Sequence, residues 1–165
     1  ICNDPNLYLD QIIYHSERRT GNLDRSLAYY MESKNMMLGD VITSLDTYFK
    51  QCSMMVTARS LANLGAVLAN NGVKPWDGKR IFSVEGARCI KSLMMTTGLY
   101  NQSGTYSRLI GVPTKSGVGG GLMSAAPHRY GIGIFSPALD KAGNSVAGLE
   151  LLKDIVEDLE LDIFD

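Results

Sequence analysis

The sequence offers little to a metal ion or to a disulfide framework. Its three cysteines, Cys2, Cys52 and Cys89, are an odd number with no C-x-x-C pair, and its two histidines, His15 and His128, lie far apart. That inventory argues against a zinc site, and no motif implies a cofactor. No apolar run is long and uninterrupted enough to span a bilayer, and nothing has the layout of a secretory leader. Charge of one sign is missing too: 16 lysines and arginines stand against 17 aspartates and glutamates, well mixed along the chain. This leaves no electrostatic footprint for nucleic acid or for an anionic membrane surface, and small polar partners stay open. The expected setting is reducing and cytoplasmic, with thiols that are mostly buried and inert. An initiator methionine is also absent, and Ile1-Cys2-Asn3-Asp4-Pro5 runs straight into structured-looking sequence, as expected of a cut chain.

What remains is a chain of 165 residues, 45% of them hydrophobic, enough for one compact domain or a large piece of one. From about residue 6 to residue 98 the apolar spacing is helical. Asp24 to Lys34 puts Leu27, Tyr30 and Met31 on one side, and Asn35 stops it. Asp40 caps a helix through Cys52 with Ile42, Leu45, Tyr48 and Phe49 as its stripe. Thr57 caps the next, with Leu61, Leu64, Leu68 and Ala69 inward and Asn71-Gly72 as a left-handed stop. Lys74 to Gly78 is a turn, and Ser83 caps a helix carrying Ala87, Ile90, Leu93 and Met94, with Gly98 near its end.

From Val112 the sequence becomes glycine-rich and β-branched. Thr114 to Ala126 and Tyr130 to Phe135 are predicted to be two antiparallel strands around Pro127-His128-Arg129. Asn144 is predicted to cap a closing helix with Val146, Leu149, Leu152, Ile155, Val156 and Leu159 on its face. The fold class is therefore α+β or mixed α/β: a helical part over about 1–110, then strands and a C-terminal helix over 111–165, read as a single domain. Two strands alone are marginal, and no earlier segment supplies partners, so further strands are expected from sequence before Ile1.

Lys115-Ser116-Gly117-Val118-Gly119-Gly120-Gly121 is the sharpest chemical signal, a lysine and a hydroxyl beside backbone that a ligand can approach closely. The Lys-Ser-Gly triplet is similar to the Lys-Thr-Gly strand of serine acyl enzymes, although a tight strand or bulge is the commoner meaning of such glycines. Tyr100 follows Gly98-Leu99 at a helix end, where its hydroxyl can relay a proton or simply face water. Glu17 and Asp24, seven residues apart, can grip an ammonium group if one helix carries both, but Gly21 breaks it, and solvated charges are the commoner reading. Tyr48 lies on an apolar stripe and is core by default, the lone histidines receive no role, and the methionines at 36, 37, 54, 55, 94 and 95 are core filler.

Taken in order and with their spacing, several strings resemble the serine-dependent glutaminase family. They are Ser16-Glu17-Arg18-Arg19-Thr20-Gly21, Thr47-Tyr48-Phe49, Gly98-Leu99-Tyr100-Asn101, Val112 to Gly121, and Phe135-Ser136-Pro137-Ala138-Leu139-Asp140 with Gly143-Asn144-Ser145. The resemblance covers nearly the whole chain, as the C-terminal portion of such a protein. It implies a serine β-lactamase or transpeptidase-like fold, with a helical layer, an antiparallel sheet and a C-terminal helix. It also implies hydrolysis of L-glutamine to L-glutamate and ammonia through a serine acyl-enzyme, without cofactor or metal, in a homodimer or homotetramer. On the same resemblance, Val118 supplies an oxyanion-hole N–H and Tyr100 assists proton movement. Glu17 and Tyr48 bind the amino-acid end of glutamine, while Lys115, Ser116 and Gly117 support the site. Asp24 is the departure among the substrate positions, because the family carries asparagine there, and a carboxylate beside the substrate's own repels it unless Arg25 or another cation compensates. No Ser-x-x-Lys occurs in the 165 residues, so the nucleophile is expected outside them. Two other readings stand beside it: an inactive fragment serving as an assembly module, since the nucleophile is not among these residues, and a β-lactamase-like acyl hydrolase, which shares the Lys-Ser-Gly strand.

Overall fold

Five helix starts, at Asp10, Asp40, Thr57, Ser83 and Ser145, are fixed by side chains that accept the first free N–H groups, and those at Asp40, Thr57 and Ser83 are where the sequence places them. The computed structural model describes residues 1–165, which divide into two compact units, residues 5–56 and residues 1–4 with 57–165.

In the first unit, β1 (Tyr8–Leu9) leads into α1 (Gln11–Thr20), capped by Asp10, whose carboxylate accepts from the N–H groups of Ile12 and Ile13. Gly21 then ends α1, with its N–H on Glu17 O at 2.8 Å, and begins α2 (Asn22–Ser33). A Cβ at Gly21 would lie 2.6 Å from Phe49 Cε1, so only glycine lets this corner close over that ring. Asp40 caps α3 (Val41–Cys52) through Thr43 N–H at 2.7 Å, and β2 (Met54–Met55) pairs antiparallel with β1. Tyr14, Ala28, Val41, Leu45 and Phe49 form this unit's core. The predicted stripe of α2 does not bury: Leu27, Tyr30 and Met31 are exposed, and α2 seats itself through Ala28. The β1–β2 pair is absent from the sequence reading, since two residues are too few to display alternation.

The second unit starts with α4 (Ala58–Ala69), whose N-terminus carries a reciprocal capping box between Thr57 and Ser60. Asn71 and Gly72 take φ of 51° and 85°, the expected left-handed stop. After the turn at 74–78 comes α5 (Val84–Thr97), capped by Ser83, then a short 3₁₀ turn at Tyr100–Gln102 and α6 (Ser103–Ile110). The sheet is β3 (Thr114–Ser116), β4 (Gly121–Ala126) and β5 (Tyr130–Phe135), antiparallel in that order. The single strand expected from Thr114 to Ala126 is thus two strands. Gly117 N–H donates to Gly121 O and Gly120 N–H to Gly117 O, both at 2.9 Å, and Gly120 turns at φ 93°, so the glycine run is a hairpin rather than strand interior.

Register sets the layers. Met123 opposes Gly133 and Ala125 opposes Gly131, on the face toward α4. A Cβ at Gly131 would overlap the Ala62 and Ala66 backbone, one at Gly133 the Ala58 carbonyl, and one at Gly65 the Ser124 carbonyl, so α4 lies backbone to backbone on the sheet. On the opposite face Leu122, Ala126 and Ile134 pack with Leu149, Leu152 and Val156 of α7 (Val146–Asp158). Ser145, not Asn144, caps α7: its Oγ accepts from Gly148 N–H at 3.2 Å, because Asn144 is turned inward and fully buried. The thiols also differ from expectation. All three are free, with Cys52 and Cys89 exposed, since neither lies on the buried face of its helix. Of the methionines, Met94 is buried at 6% exposure, whereas Met36, Met54 and Met55 face solvent. No helix is long and apolar enough to cross a membrane.

Glycine contacts make a paired test. Gly133→Ala is expected to cost about 1–3 kcal/mol by forcing α4 off the sheet. Gly104→Ala, in α6 with open space around its Cβ position, is expected to be neutral or to stabilise by about 0.4–1 kcal/mol. Urea unfolding of both variants, compared with the parent, decides it; equal midpoints would refute the close packing.

Candidate active site

Two clusters of the predicted residues form, one in each unit. In the unit of residues 5–56, the break at Gly21 puts Glu17 near the end of α1 and Asp24 in the first turn of α2, where the helix dipole favours a carboxylate. The two are therefore not on one continuous helix. Both lie close enough to Tyr48 on α3 for their charges to oppose its ionisation. Tyr48 is 45% exposed rather than core, because the buried face of α3 is Val41, Leu45 and Phe49. Its phenol is pushed up to about 12, first by a hydrogen bond to Cys52, then by burial, then by the Cys52, Asp24 and Glu17 charges. It is a neutral hydroxyl at any physiological pH. The Cys52 contact escaped the sequence reading, although its i, i+4 spacing on α3 is a usable signal.

Arg25 does not compensate Asp24. Its Nη2 donates to Arg18 O, its guanidinium lies 5.4 Å from the Phe49 ring centroid, and no ion pair joins it to Asp24. Its Nη1 is buried without a partner. A cavity of about 380 Å³ lies against this guanidinium, lined by Arg18, Arg25, Ile42, Thr43, Leu45, Asp46 and Phe49. None of Glu17, Asp24 or Tyr48 lines it, so that cavity and the carboxylate–phenol cluster are different places.

In the other unit the second cluster starts from a close approach. A Cβ on Gly98 would overlap Thr114 O, and Ser116 N–H donates to Gly98 O at 3.0 Å, which ties the end of α5 to β3. The chain then turns through Tyr100 at φ 55°, a left-handed conformation that costs a bulky residue about 1–3 kcal/mol. Buried Ser103 fixes it from below, accepting from Leu99 N–H at 2.9 Å and donating to Tyr100 O at 2.8 Å. Lys115 Nζ stands 4.7 Å from the Tyr100 ring centroid and also donates to Ser116 O. Gly143, at φ 101°, lies under both Tyr100 and Val118: a Cβ there would be 3.4 Å from Tyr100 Cε2 and 3.4 Å from Val118 Cγ1. Tyr100 thus lies beside Val118 on one side and Lys115 on another, with Tyr100 39% and Val118 70% exposed. Neither the Tyr100 hydroxyl nor the Val118 N–H is hydrogen-bonded within the chain.

Ser116 faces the other way, 2% exposed, with its Oγ donating to Asn144 Oδ1 at 2.6 Å, so it is a strut and not a nucleophile. Gly117 belongs to the hairpin turn, with open space where a side chain would go. Asp140 holds the last wall: its carboxylate accepts from Ala142, Gly143 and Asn144 N–H groups at 2.8, 2.9 and 3.0 Å. These backbone donors, that of Asn144 foremost, keep its pKa below the usual carboxylate range. Asn144, Gln102 and Ser103 escaped the sequence reading, because nothing in their spacing reveals an inward polar contact. No group of three or more potential metal-binding side chains assembles.

The antiparallel sheet flanked by helices, with a lysine–serine strand and a glycine hairpin beside an exposed tyrosine, is the serine β-lactamase-like architecture. The glutaminase family model matches residues 1–164, and the chain belongs to that family. It is 61% identical to glutaminase 1 of Clostridium perfringens over 164 residues, 99% of this chain and 53% of that protein. It is 49% identical to glutaminase 2 of the same organism, over 99% of this chain and 54% of that one. A crystal structure of a Bacillus subtilis glutaminase in covalent complex with 5-oxo-L-norleucine is similar at a TM-score of 0.91 and 38% identity, over 96% of this chain and 57% of that one. The chain thus spans about half the length of the curated relatives it matches.

Two measurements check the electrostatics. Cys52→Ala is expected to bring the Tyr48 ionisation down from about 12, read as the ultraviolet phenolate signal lost on adding Tyr48→Phe; an unmoved transition contradicts the thiol contact. Asp140 has a native pKa below its unfolded value, so its contribution is complete above the unfolded pKa and disappears as pH falls through the native one. The Tm gap between the parent and Asp140→Ala is accordingly expected to close in acid, and a gap independent of pH would remove the carboxylate from that role.

Proposed function

We propose that the protein carrying this chain hydrolyses L-glutamine to L-glutamate and ammonia through a serine acyl-enzyme whose Ser-x-x-Lys lies outside the 165 residues. The observation that carries this reading is that Tyr100 and Val118 lie together over Gly143, with Lys115 against the Tyr100 ring and with the phenol hydroxyl and the Val118 N–H left free of internal partners. In an acyl-enzyme route the serine attacks the side-chain amide carbon, a tetrahedral oxyanion forms, ammonia leaves, and water then releases glutamate. A free N–H at Val118 suits the oxyanion, where one such donor contributes about 10²–10³ in rate. Tyr100, braced at the backbone and flanked by the Lys115 ammonium, is suited to pass the proton between nucleophile and leaving nitrogen. The covalent adduct named for the Bacillus subtilis relative fits a nucleophilic route in that protein.

Glu17 and Tyr48 take the amino-acid end of the substrate in this reading. The carboxylate pairs with the ammonium, and the phenol, kept neutral by its raised pKa, donates a hydrogen bond. Asp24 adds a second negative charge that Arg25 leaves unpaired, favouring the ammonium and opposing the substrate carboxylate. Residues 1–165 are read as part of one glutaminase domain, in a cytoplasmic homodimer or homotetramer that uses no cofactor.

The test is ammonia release from glutamine by the complete protein, with its intact mass recorded. Tyr100→Phe is expected to lower kcat by about 10²–10⁴, whereas Glu17→Ala is expected to act mainly through KM. A chromogenic β-lactam turned over in preference to glutamine would replace this reading with a β-lactamase-like one. Absence of turnover in the complete protein would leave an assembly module.

A further inference from the structure

The buried amide of Asn144 is not among the residues to which the reaction assigns a role. It is 0% exposed and belongs to no apolar core, yet its hydrogen bonds are satisfied on every side. Oδ1 accepts from Ser116 Oγ at 2.6 Å, and Nδ2 donates to Gln102 Oε1 at 2.8 Å and to Leu99 O at 3.3 Å. Leu99 and Gln102 bracket Tyr100 in the chain, and Ser116 follows Lys115 on β3. One side chain therefore ties the segments before and after the tyrosine to the strand that bears the lysine. The amide can stand only one way round, because Leu99 O accepts and cannot donate.

We propose that Asn144 is a positioning residue that holds Tyr100 in its left-handed turn against Lys115 and Val118. This rests on the reading of Tyr100 as the proton-relaying group. Left-handed backbone at a bulky residue persists only where the surroundings over-determine it. Ser103 supplies one restraint within the turn, and Asn144 supplies those from outside it. Asn144 is itself located by its own backbone, whose N–H donates to Asp140 Oδ1 at 3.0 Å and whose carbonyl accepts from Asp140 N–H at 2.8 Å. No shorter or charged side chain substitutes. Serine does not reach, and aspartate sets a carboxylate against two oxygen acceptors.

The experiment is a double-mutant cycle in the complete protein, reading kcat and KM for glutamine. Asn144→Ala is expected to lower kcat at least tenfold with KM within about twofold, the signature of a group acting only in the transition state. Combined with Tyr100→Phe, it is expected to cost less than about threefold more, since substitutions that act through one group are not additive. If Asn144→Ala fails to fold, Ser116→Ala removes one strut alone and is expected to show the same pattern more weakly. A loss that carries over in full into the Tyr100→Phe background, or that falls in KM, overturns the proposal and leaves the role of Tyr100 intact. An unchanged kcat for Tyr100→Phe alone removes the reading of Tyr100, and the proposal with it.

Discussion

The unit that carries Tyr100 depends on the absence of side chains between α4 and the sheet. Gly65 on the helix and Gly131 and Gly133 on β5 let the two backbones touch, and this proximity draws the rest into place. With α4 lying flat on one face, Ala125 can join Leu68 and Ala69 with no gap, while the isoleucines that alternate with those glycines serve the opposite face and α7. Glycine costs backbone entropy in a strand, and here that cost is offset by close packing of a long helix over several residues.

From this platform the site is built by a second close approach. Gly98 against Thr114 fixes where α5 ends, and two residues further on the chain turns through Tyr100 with positive φ. That the residue is a tyrosine rather than a glycine is the clearest local violation of backbone preference in the chain. Such violations concentrate where chemistry needs a side chain aimed away from its helix. The polar interior around Ser103, Ser116 and Asn144 shares this logic, because each buried group there satisfies another and together they specify one arrangement.

Much of the architecture was legible, for identifiable reasons. Asp40 marks the start of α3, although of its predicted stripe only Leu45 and Phe49 are buried while Ile42 and Tyr48 are exposed; Thr57 and Ser83 mark helix starts, and the β4–β5 pair with the closing helix follows from alternation and spacing. The glycine hairpin at 117–120 falls inside the stretch that composition predicts as one strand, because glycine is silent about periodicity. The capping role given to Asn144 belongs to Ser145, since both are good caps and only the packing decides which one turns inward. Membership of the glutaminase family was legible from linear strings such as Lys115-Ser116-Gly117-Val118. The grouping of Tyr100 with Asn144 was not, because it leaves no linear trace, and that of Tyr48 with Cys52 leaves only an i, i+4 spacing on α3.

The small β1–β2 pair has a bearing on the history of the chain. It sets Tyr8 opposite Met55, and Asp10 N–H donates to Ser53 O at 3.0 Å, so the two ends of the helical unit leave and return side by side. Asp4 and Ser60, just outside those ends, are themselves joined by a hydrogen bond of 2.6 Å. In topological terms residues 5–56 are an excursion from a continuous path, closed at its neck. A segment closed in that way can lengthen, shorten or diversify its helices between one lineage and another without changing the connectivity of the residues before and after it.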